Sequence, residues 1–234
     1  MRAVIMAGGE GTRLRPFTHT IPKPLLPIGR KPIGQIIVER LRDHGFDDII
    51  MSVGYAADLI RAFFQDGNQF GTKISYFHET EKLGTAGCLA RIPQLRESAF
   101  LVTNGDILTD LDYRLLMNTH TQSKSLLSVV TRSESVTIPY GVLKLEGDLV
   151  LGVEEKPKFA YHFNAGIYAC SPGVLDLIPP DRASDMTDLI NNLQTHKNQV
   201  RSHPLAGLWY DLARVTDFEK ALEELEAKYP QFIS

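Results

Sequence analysis

The chain opens on a short apolar run, Ala3-Val4-Ile5-Met6-Ala7, that ends in Gly8-Gly9. A continuous run of this length reads as a strand buried on both faces of a parallel sheet. Ile33, Ile36, Ile37 and Leu41 then recur at helical spacing, and Gly45 supplies a stop. The alternation continues with a strand over 48–53, a helix over 57–64, a strand over 73–77 and a short helix over 84–91. Phe100-Leu101-Val102-Thr103 is another buried-type strand, and it runs into Asn104-Gly105-Asp106. Repeated strand–helix–strand units predict an α/β fold with a doubly wound, mostly parallel sheet and ligands at the carboxyl ends of its strands.

After about Arg132 the pattern changes. Residues 140–145 and 149–155 read as two strands joined by the turn Glu146-Gly147-Asp148. A further strand falls over 165–169, and helices over 185–193 and 216–229. Thr216-x-x-Glu219 predicts a capping box for the last helix. Phe218, Leu222, Leu225 and Tyr229 give that helix one apolar stripe. There is no internal repeat, low-complexity tract or long linker. The expected organisation is one domain over 1–234: an α/β half over 1–132, then a mixed lobe and C-terminal helix over 133–234.

Composition excludes disorder, collagen-like sequence and a coiled coil: of 234 residues, 43% are hydrophobic and 23% charged. Charge placement says more. The whole chain is at −3, yet residues 1–32 hold Arg2, Arg13, Arg15, Lys23, Arg30 and Lys31 against Glu10 alone. That stretch is +5, and the rest of the chain must sum to −8. A positive patch in an acidic protein points to an anionic ligand. Its shortness argues against nucleic acid as the partner. The only cysteines, Cys88 and Cys170, form neither a disulfide framework nor a CxxC pair, so a reducing, cytoplasmic home is expected. No apolar run approaches the ~18 residues of a membrane span. The apolar run at 3–7 is too short for a signal peptide's hydrophobic core.

Within the basic stretch, Gly8-Gly9-Glu10-Gly11-Thr12-Arg13-Leu14-Arg15 follows the first strand. Its glycines allow close backbone approach and positive φ, their amides can converge on an anion, and Arg13 adds a charged fork for phosphate oxygens. It is not a Walker A loop, since GK[ST] is absent. It is not a dinucleotide fingerprint, since Leu14 stands where the third glycine belongs. A plain glycine turn after an edge strand would need neither Arg13 nor Arg15. Pro22-Lys23-Pro24 then fixes φ on both sides of a lysine. Five of the chain's 13 prolines, and no acid, lie between Gly11 and Pro32. A solvated basic loop would not need that rigidity. A cradle for a polyphosphate would.

These residues carry a resemblance. Gly8-Gly9-x-Gly11-Thr12-Arg13-Leu14-x-Pro16-x-Thr18, Pro22-Lys23-Pro24 and Lys31-Pro32 resemble the signature of the sugar-1-phosphate nucleotidyltransferases. So do Leu83-Gly84-Thr85-Ala86-Gly87, Asn104-Gly105-Asp106, Tyr140-Gly141, Glu155-Lys156-Pro157, Asn164-Ala165-Gly166-Ile167-Tyr168 and Trp209-Tyr210-Asp211. The likeness runs from about residue 3 to about residue 225.

The resemblance implies a Rossmann-like nucleotide-binding sheet with a sugar-binding lobe. It also implies the union of a nucleoside triphosphate with a sugar 1-phosphate, with release of pyrophosphate. The nucleotide site would take Met6, Ala7, Gly8, Gly9, Gly11, Thr12, Arg13, Leu83, Gly84, Thr85, Gly87, Asn104 and Gly105. Arg13, Lys23 and Asp106 would be catalytic. Lys23, Tyr140, Gly141, Glu155, Lys156 and Asn164 would hold the sugar phosphate. Asp106 and Asp211 would hold Mg²⁺, although Ala213 stands where the family usually has glycine. The segment over 83–87 resembles guanylyltransferases more than thymidylyltransferases, which favours GTP. A uridylyl- or thymidylyltransferase remains the alternative, as does a silent regulatory subunit that binds nucleotide-sugar. Such paralogues tend to lose the charged residues present here. His162 reads as structural or solvent-facing. The five residues after Tyr229 are too few for an appended C-terminal domain.

Overall fold

The computed structural model describes residues 1–197 and 199–229. The first half runs β1 (Arg2–Ala7), a small hairpin of β2 (Pro27–Ile28) and β3 (Lys31–Pro32), α1 (Ile33–Asp43), β4 (Asp48–Val53), α2 (Ala57–Phe64) and β5 (Lys73–His78). It continues with the single turn α3 (Gly84–Gly87), β6 (Phe100–Asn104), β7 (Ile107–Thr109) and α4 (Tyr113–Ser123). The second half runs β8 (Leu127–Thr137), β9 (Gly141–Glu146), β10 (Leu149–Glu155), β11 (Lys158–Cys170), α5 (Met186–Thr195), β12 (Val200–Pro204), β13 (Trp209–Asp211) and α6 (Val215–Lys228).

Seven strands make one sheet in the order β12-β8-β11-β6-β1-β4-β5. Only β11 runs against its neighbours. The opening apolar run explains why β1 lies in the middle. Ala3, Ile5 and Ala7 face a core built with α1, α2, α4 and α6. Val4 faces a second core, with Phe100, Val102, Leu127 and α5. Alternate residues of one strand are thus buried on opposite sides, which an alternating amphipathic strand could not do.

Two expectations need correction. The strand expected over 165–169 extends back to Lys158, because Phe159, Tyr161 and Phe163 continue the alternation and pair with β8. The capping box at Thr216 is absent. α6 starts at Val215 with Arg214 as its N-cap and no side-chain cap. Thr216 is therefore already inside the first turn, where its hydroxyl cannot fill the cap position. The capping box in this lobe belongs to α5. There Asp185 accepts from the backbone of Asp188, and the Asp188 carboxylate accepts from the Asp185 N–H.

Strands from both halves of the chain share the one sheet. The end of β6 consequently meets an irregularity in β11. The register slips between Asn164 and Tyr168, and Gly166 sits at φ +74°. A Cβ at Gly166 would lie 2.7 Å from Asn104 Nδ2, so this turn must be glycine for Asn104 to reach its place.

Candidate active site

The loop after β1 is held from behind. Leu14 is buried, and Gly11 enters a 3₁₀ turn over Thr12–Leu14 at φ +61°. The Thr18 hydroxyl donates to the Gly11 carbonyl at 2.8 Å. Leu14 thus has a structural task at the position where a dinucleotide loop would carry glycine: it anchors the turn that points Thr12 and Arg13 outward.

This loop forms one wall of a cleft of about 740 Å³. Met6, Gly8, Gly9, Gly11, Thr12, Arg13, Gly84, Thr85, Asn104 and Asp106 line it, together with Gly54, Tyr55, Glu79, Lys82 and Asp185. Ala7, Leu83, Gly87 and Gly105 stand behind this lining. The Gly105 N–H donates to the Met6 carbonyl at 3.0 Å, and a Cβ at Gly105 would lie 2.7 Å from that oxygen.

The basic stretch is less of a cradle than its charge suggests. Arg2 pairs with Asp48 and Glu97, Arg15 with Glu10, Lys23 with Asp106, and Lys31 with Glu39. Arg15 is therefore turned to Glu10, which also binds Lys82 at 3.0 Å. Among the described residues, Arg13 makes no ion pair, and it lines this cleft and its neighbour.

Asp106 and Asp211 come together because β7 and β13 pair, with Asp211 opposite Ile107. The Leu212 N–H donates to the Asp106 carbonyl at 3.0 Å. Asp106 Oδ2 takes the Lys23 ammonium, and Asp106 Oδ1 is buried and has no hydrogen-bond partner among the described residues. Burial raises the Asp211 pKa, and the neighbouring Asp106 raises it further. The backbone of Ala213 acts against that rise. Two crowded carboxylates, one with an orphaned oxygen, form a donor set that suits a hard divalent cation. Mg²⁺ typically takes one or two carboxylates and fills its shell with water and phosphate oxygens. Among the described residues no three potential ligands cluster, so substrate and water would have to complete the shell.

The 83–87 segment is clamped by the chain just before α5. Ala86 N–H and Gly87 N–H donate to the Ser184 carbonyl, and Ser184 N–H donates to the Leu83 carbonyl. Thr85 donates through both its N–H and its hydroxyl to Asp185 Oδ1, at 2.9 and 3.1 Å. Gly84 sits at φ +75°, and a Cβ there would lie 2.5 Å from the Ser184 carbonyl oxygen. Gly84→Ala is therefore expected to cost about 1–3 kcal/mol through backbone strain and displaced contacts. Denaturant unfolding should show the loss, and calorimetry should show weaker nucleotide binding.

The sugar-side residues are placed differently. Tyr140, Gly141, Glu155 and Lys156 are all exposed at the base of the β9–β10 hairpin, and none lines the cleft that holds Asp106. Lys156 adopts φ +47°, and its N–H donates to the Tyr140 carbonyl at 3.2 Å. A non-glycine residue at positive φ is uncommon and marks a locally forced turn. Asn164 is committed internally, donating to the Tyr168 hydroxyl and accepting from Gly166 N–H. His162 Nδ1 lies 2.8 Å from Ser133 Oγ.

A second cavity of about 640 Å³ adjoins the first across Arg13. Arg132, Trp209, Asp211 and α6 line it. Phe163 packs edge-on against Trp209, and Arg132 lies over the same ring. Sequence reasoning missed Ser52, Tyr55, Glu79 and Asp185. Glu79 directly follows β5, so the rule that ligands meet the carboxyl ends of strands could have found it. Asp185 acts on Thr85 from 100 positions away, and no local spacing reveals that.

Comparisons with known proteins agree with this architecture. The model of the nucleotidyl transferase family matches residues 2–228. A UTP–glucose-1-phosphate uridylyltransferase of Synechocystis is 34% identical, over 95% of this chain and 62% of its own length. A mannose-1-phosphate guanylyltransferase catalytic subunit beta of Danio rerio is 34% identical, over 93% of this chain and 62% of its own length. The chain thus spans just over three-fifths of these two relatives. The crystal structure of HddC from Yersinia pseudotuberculosis complexed with GMP-PN superposes with a TM-score of 0.73 at 28% identity, covering 96% of this chain and 99% of that one. The nearly complete match to the family model, on a fold shared with a solved relative, means that the chain belongs to the nucleotidyl transferase family.

Proposed function

We propose that the protein joins GTP to a sugar 1-phosphate, giving a GDP-sugar and pyrophosphate in the cytoplasm. Family membership supports the reaction class, and one observation supports the base. Glu79 lies on the floor of the cleft against Gly8, where its Oε1 would be 2.8 Å from a Cβ. The Ser52 hydroxyl donates to that oxygen at 2.6 Å, and Glu79 N–H donates to the Val53 carbonyl. A fixed carboxylate accepts hydrogen bonds. Guanine offers two adjacent donors, N1–H and N2–H₂. Uracil and thymine offer one N–H flanked by two carbonyls, which a carboxylate repels.

Glu79→Gln keeps the shape and removes the charge. A hydrogen bond to a charged group contributes about 1.5–3 kcal/mol, so kcat/KM for GTP should fall about 10- to 100-fold. The value for UTP should hold or rise. Pyrophosphate release from four triphosphates, against a panel of sugar 1-phosphates, reads this directly. A wild type that prefers UTP or TTP would remove the guanine reading and leave the reaction class standing. A wild type that binds nucleotide-sugar yet releases no pyrophosphate would make the chain a regulatory subunit.

In this reading the nucleophile needs no side-chain base. A phosphate monoester has a second pKa near about 6, so its oxygen is already ionised at neutral pH. It attacks the α-phosphorus in line, and pyrophosphate departs. The chain has to hold two anions close together and offset the charge that develops. The loop over Gly8–Arg13 grips the triphosphate, and Arg13 meets the leaving group. Lys23 exchanges its Asp106 partner for phosphate oxygens. Glu155 and Lys156 take the sugar hydroxyls and the sugar phosphate. Mg²⁺, held by Asp106 and Asp211, would supply Lewis-acid polarisation of the phosphates.

A further inference from the structure

Ser52 is the one hydroxyl of β4, set between Met51 and Val53 in a strand that is apolar elsewhere after Asp48. It is fully buried. A hydroxyl in such a place costs free energy unless its proton finds an acceptor. The acceptor is Glu79 Oε1, at 2.6 Å. Three neighbouring strands bring this pair together. β1 and β5 flank β4, and Ser52 is in register with Met6 on one side and Phe77 on the other. Glu79 follows the end of β5, and its N–H is fixed on the Val53 carbonyl at 2.8 Å. Gly8 follows the end of β1 and has no side chain to displace the carboxylate. A Cβ there would lie 2.8 Å from Oε1 and 3.3 Å from Cδ.

We infer that Ser52 is a positioning residue for base selection: its hydroxyl fixes the plane of the Glu79 carboxylate, so that guanine is separated from hypoxanthine as well as from the pyrimidines. The inference rests on the guanine reading above. Ser52 is buried and Glu79 lines the cleft, so of the pair only Glu79 can touch a base.

The last torsion of a glutamate is broad and two-fold, so a carboxylate held by nothing turns easily. Guanine presents N1–H and N2–H₂ along one edge. Both are taken only when the two carboxylate oxygens lie close to the plane of the base. The hydrogen bond from Ser52 to Oε1, with Gly8 against the same oxygen, removes the torsional freedom. It does not use up the acceptor, since an ionised carboxylate has about four lone-pair sites. Hypoxanthine has N1–H and no amino group, so it gains one of the two bonds. Placement of the carboxylate plane therefore matters more to guanine than to hypoxanthine.

Cys88 leaves the Ser52 proton to Glu79. Its thiol is buried beside the pair, with Sγ 3.8 Å from Met6 Sδ and 4.0 Å from the Thr85 carbonyl oxygen. Burial pushes this thiol up to about 12, and the charge of Glu79 adds to the rise. It stays S–H at neutral pH and offers no thiolate to compete for the proton.

Pyrophosphate release by the wild type and Ser52→Ala, each given GTP or ITP with a sugar 1-phosphate, tests this. The wild type should prefer GTP by about 10- to 100-fold in kcat/KM, the worth of one hydrogen bond to a charged group. In Ser52→Ala the ratio should fall to within about threefold, with the loss in KM for GTP and not in kcat, because the base is remote from the reacting phosphorus. Ser52→Cys keeps a weak donor and should retain part of the preference. In a Glu79→Gln background, Ser52→Ala should change the ratio no further, as expected of two groups that act as one unit. Calorimetry with GDP and IDP reads the same preference without turnover, so it decides the matter even if no sugar 1-phosphate reacts. A wild type that treats guanine and hypoxanthine alike overturns the guanine reading, and this inference with it. A wild type that prefers guanine, with a Ser52→Ala variant that prefers it as strongly, overturns the inference alone. So does a Ser52→Ala effect of undiminished size in the Glu79→Gln background, which would mean that the hydroxyl acts through packing and not through the carboxylate.

Discussion

Asp106→Asn should leave a folded protein that binds nucleotide and releases almost no pyrophosphate, with turnover down by on the order of 10³-fold. Asp106 gathers three features. Its Oδ1 is buried and unpaired, its Oδ2 holds Lys23, and its charge pushes on Asp211. A buried acceptor left without a donor is costly, and a catalytic role or a bound ion is one reason to keep it. Asparagine keeps the volume and removes the charge. Lys23 then loses its partner, and the divalent cation proposed for this site would lose one of its two carboxylates.

The fold should not suffer, because the substitution also removes like-charge repulsion from a crowded, partly buried site. Asp106→Asn should therefore melt no lower than the wild type. Nucleotide affinity measured without metal should change little, because the glycine loop and Glu79 are untouched. Pyrophosphate release near the wild-type rate would take Asp106 out of the machinery and leave its orphaned oxygen without a role.

The parts of the fold legible in the sequence were those governed by short-range periodicity. The five-residue apolar run of β1, stopped by Gly8-Gly9, fitted a strand buried on both sides, and α1 followed from its four spaced apolar residues and Gly45. β8 and β12 were not drawn. β8 changes character along its length, buried from Leu127 to Val130 and exposed beyond Ser133. No single period describes a strand that leaves the core halfway. The cap at Thr216 failed by register: a capping box read two residues too late looks the same in the sequence as a real one. The glycine loop could be read because its chemistry is local. The links from Lys23 to Asp106 and from Thr85 to Asp185 span 83 and 100 positions, and they depend on strand order. Spacing carries no trace of them. The role of Glu79 lies between these cases, since its place at the end of β5 was visible but its approach to Gly8 was not.

Arg13→Ala should lower kcat by about 10³-fold, the effect of removing a cation that meets charge developing on a departing phosphate. Arg13 sits in the 3₁₀ turn whose backbone is fixed by buried Leu14 and by the Thr18 hydroxyl on Gly11. The side chain is thus presented by a rigid support but tied, among the described residues, to no carboxylate. It lines both cavities, and its charge helps to hold down the Asp211 pKa that burial raises. Because the side chain is exposed and unpaired, its loss should shift stability by no more than about 0.5 kcal/mol. Affinity for the sugar 1-phosphate should stay close to normal if the cation acts mainly on the leaving pyrophosphate. Arg13→Lys separates charge from shape. It restores a point charge without the planar fork, so it should recover part of the turnover and not all of it. Full recovery with lysine would mean that charge alone matters at this position. Turnover close to wild type in Arg13→Ala would move the leaving-group role to Lys23, the other cation beside Asp106.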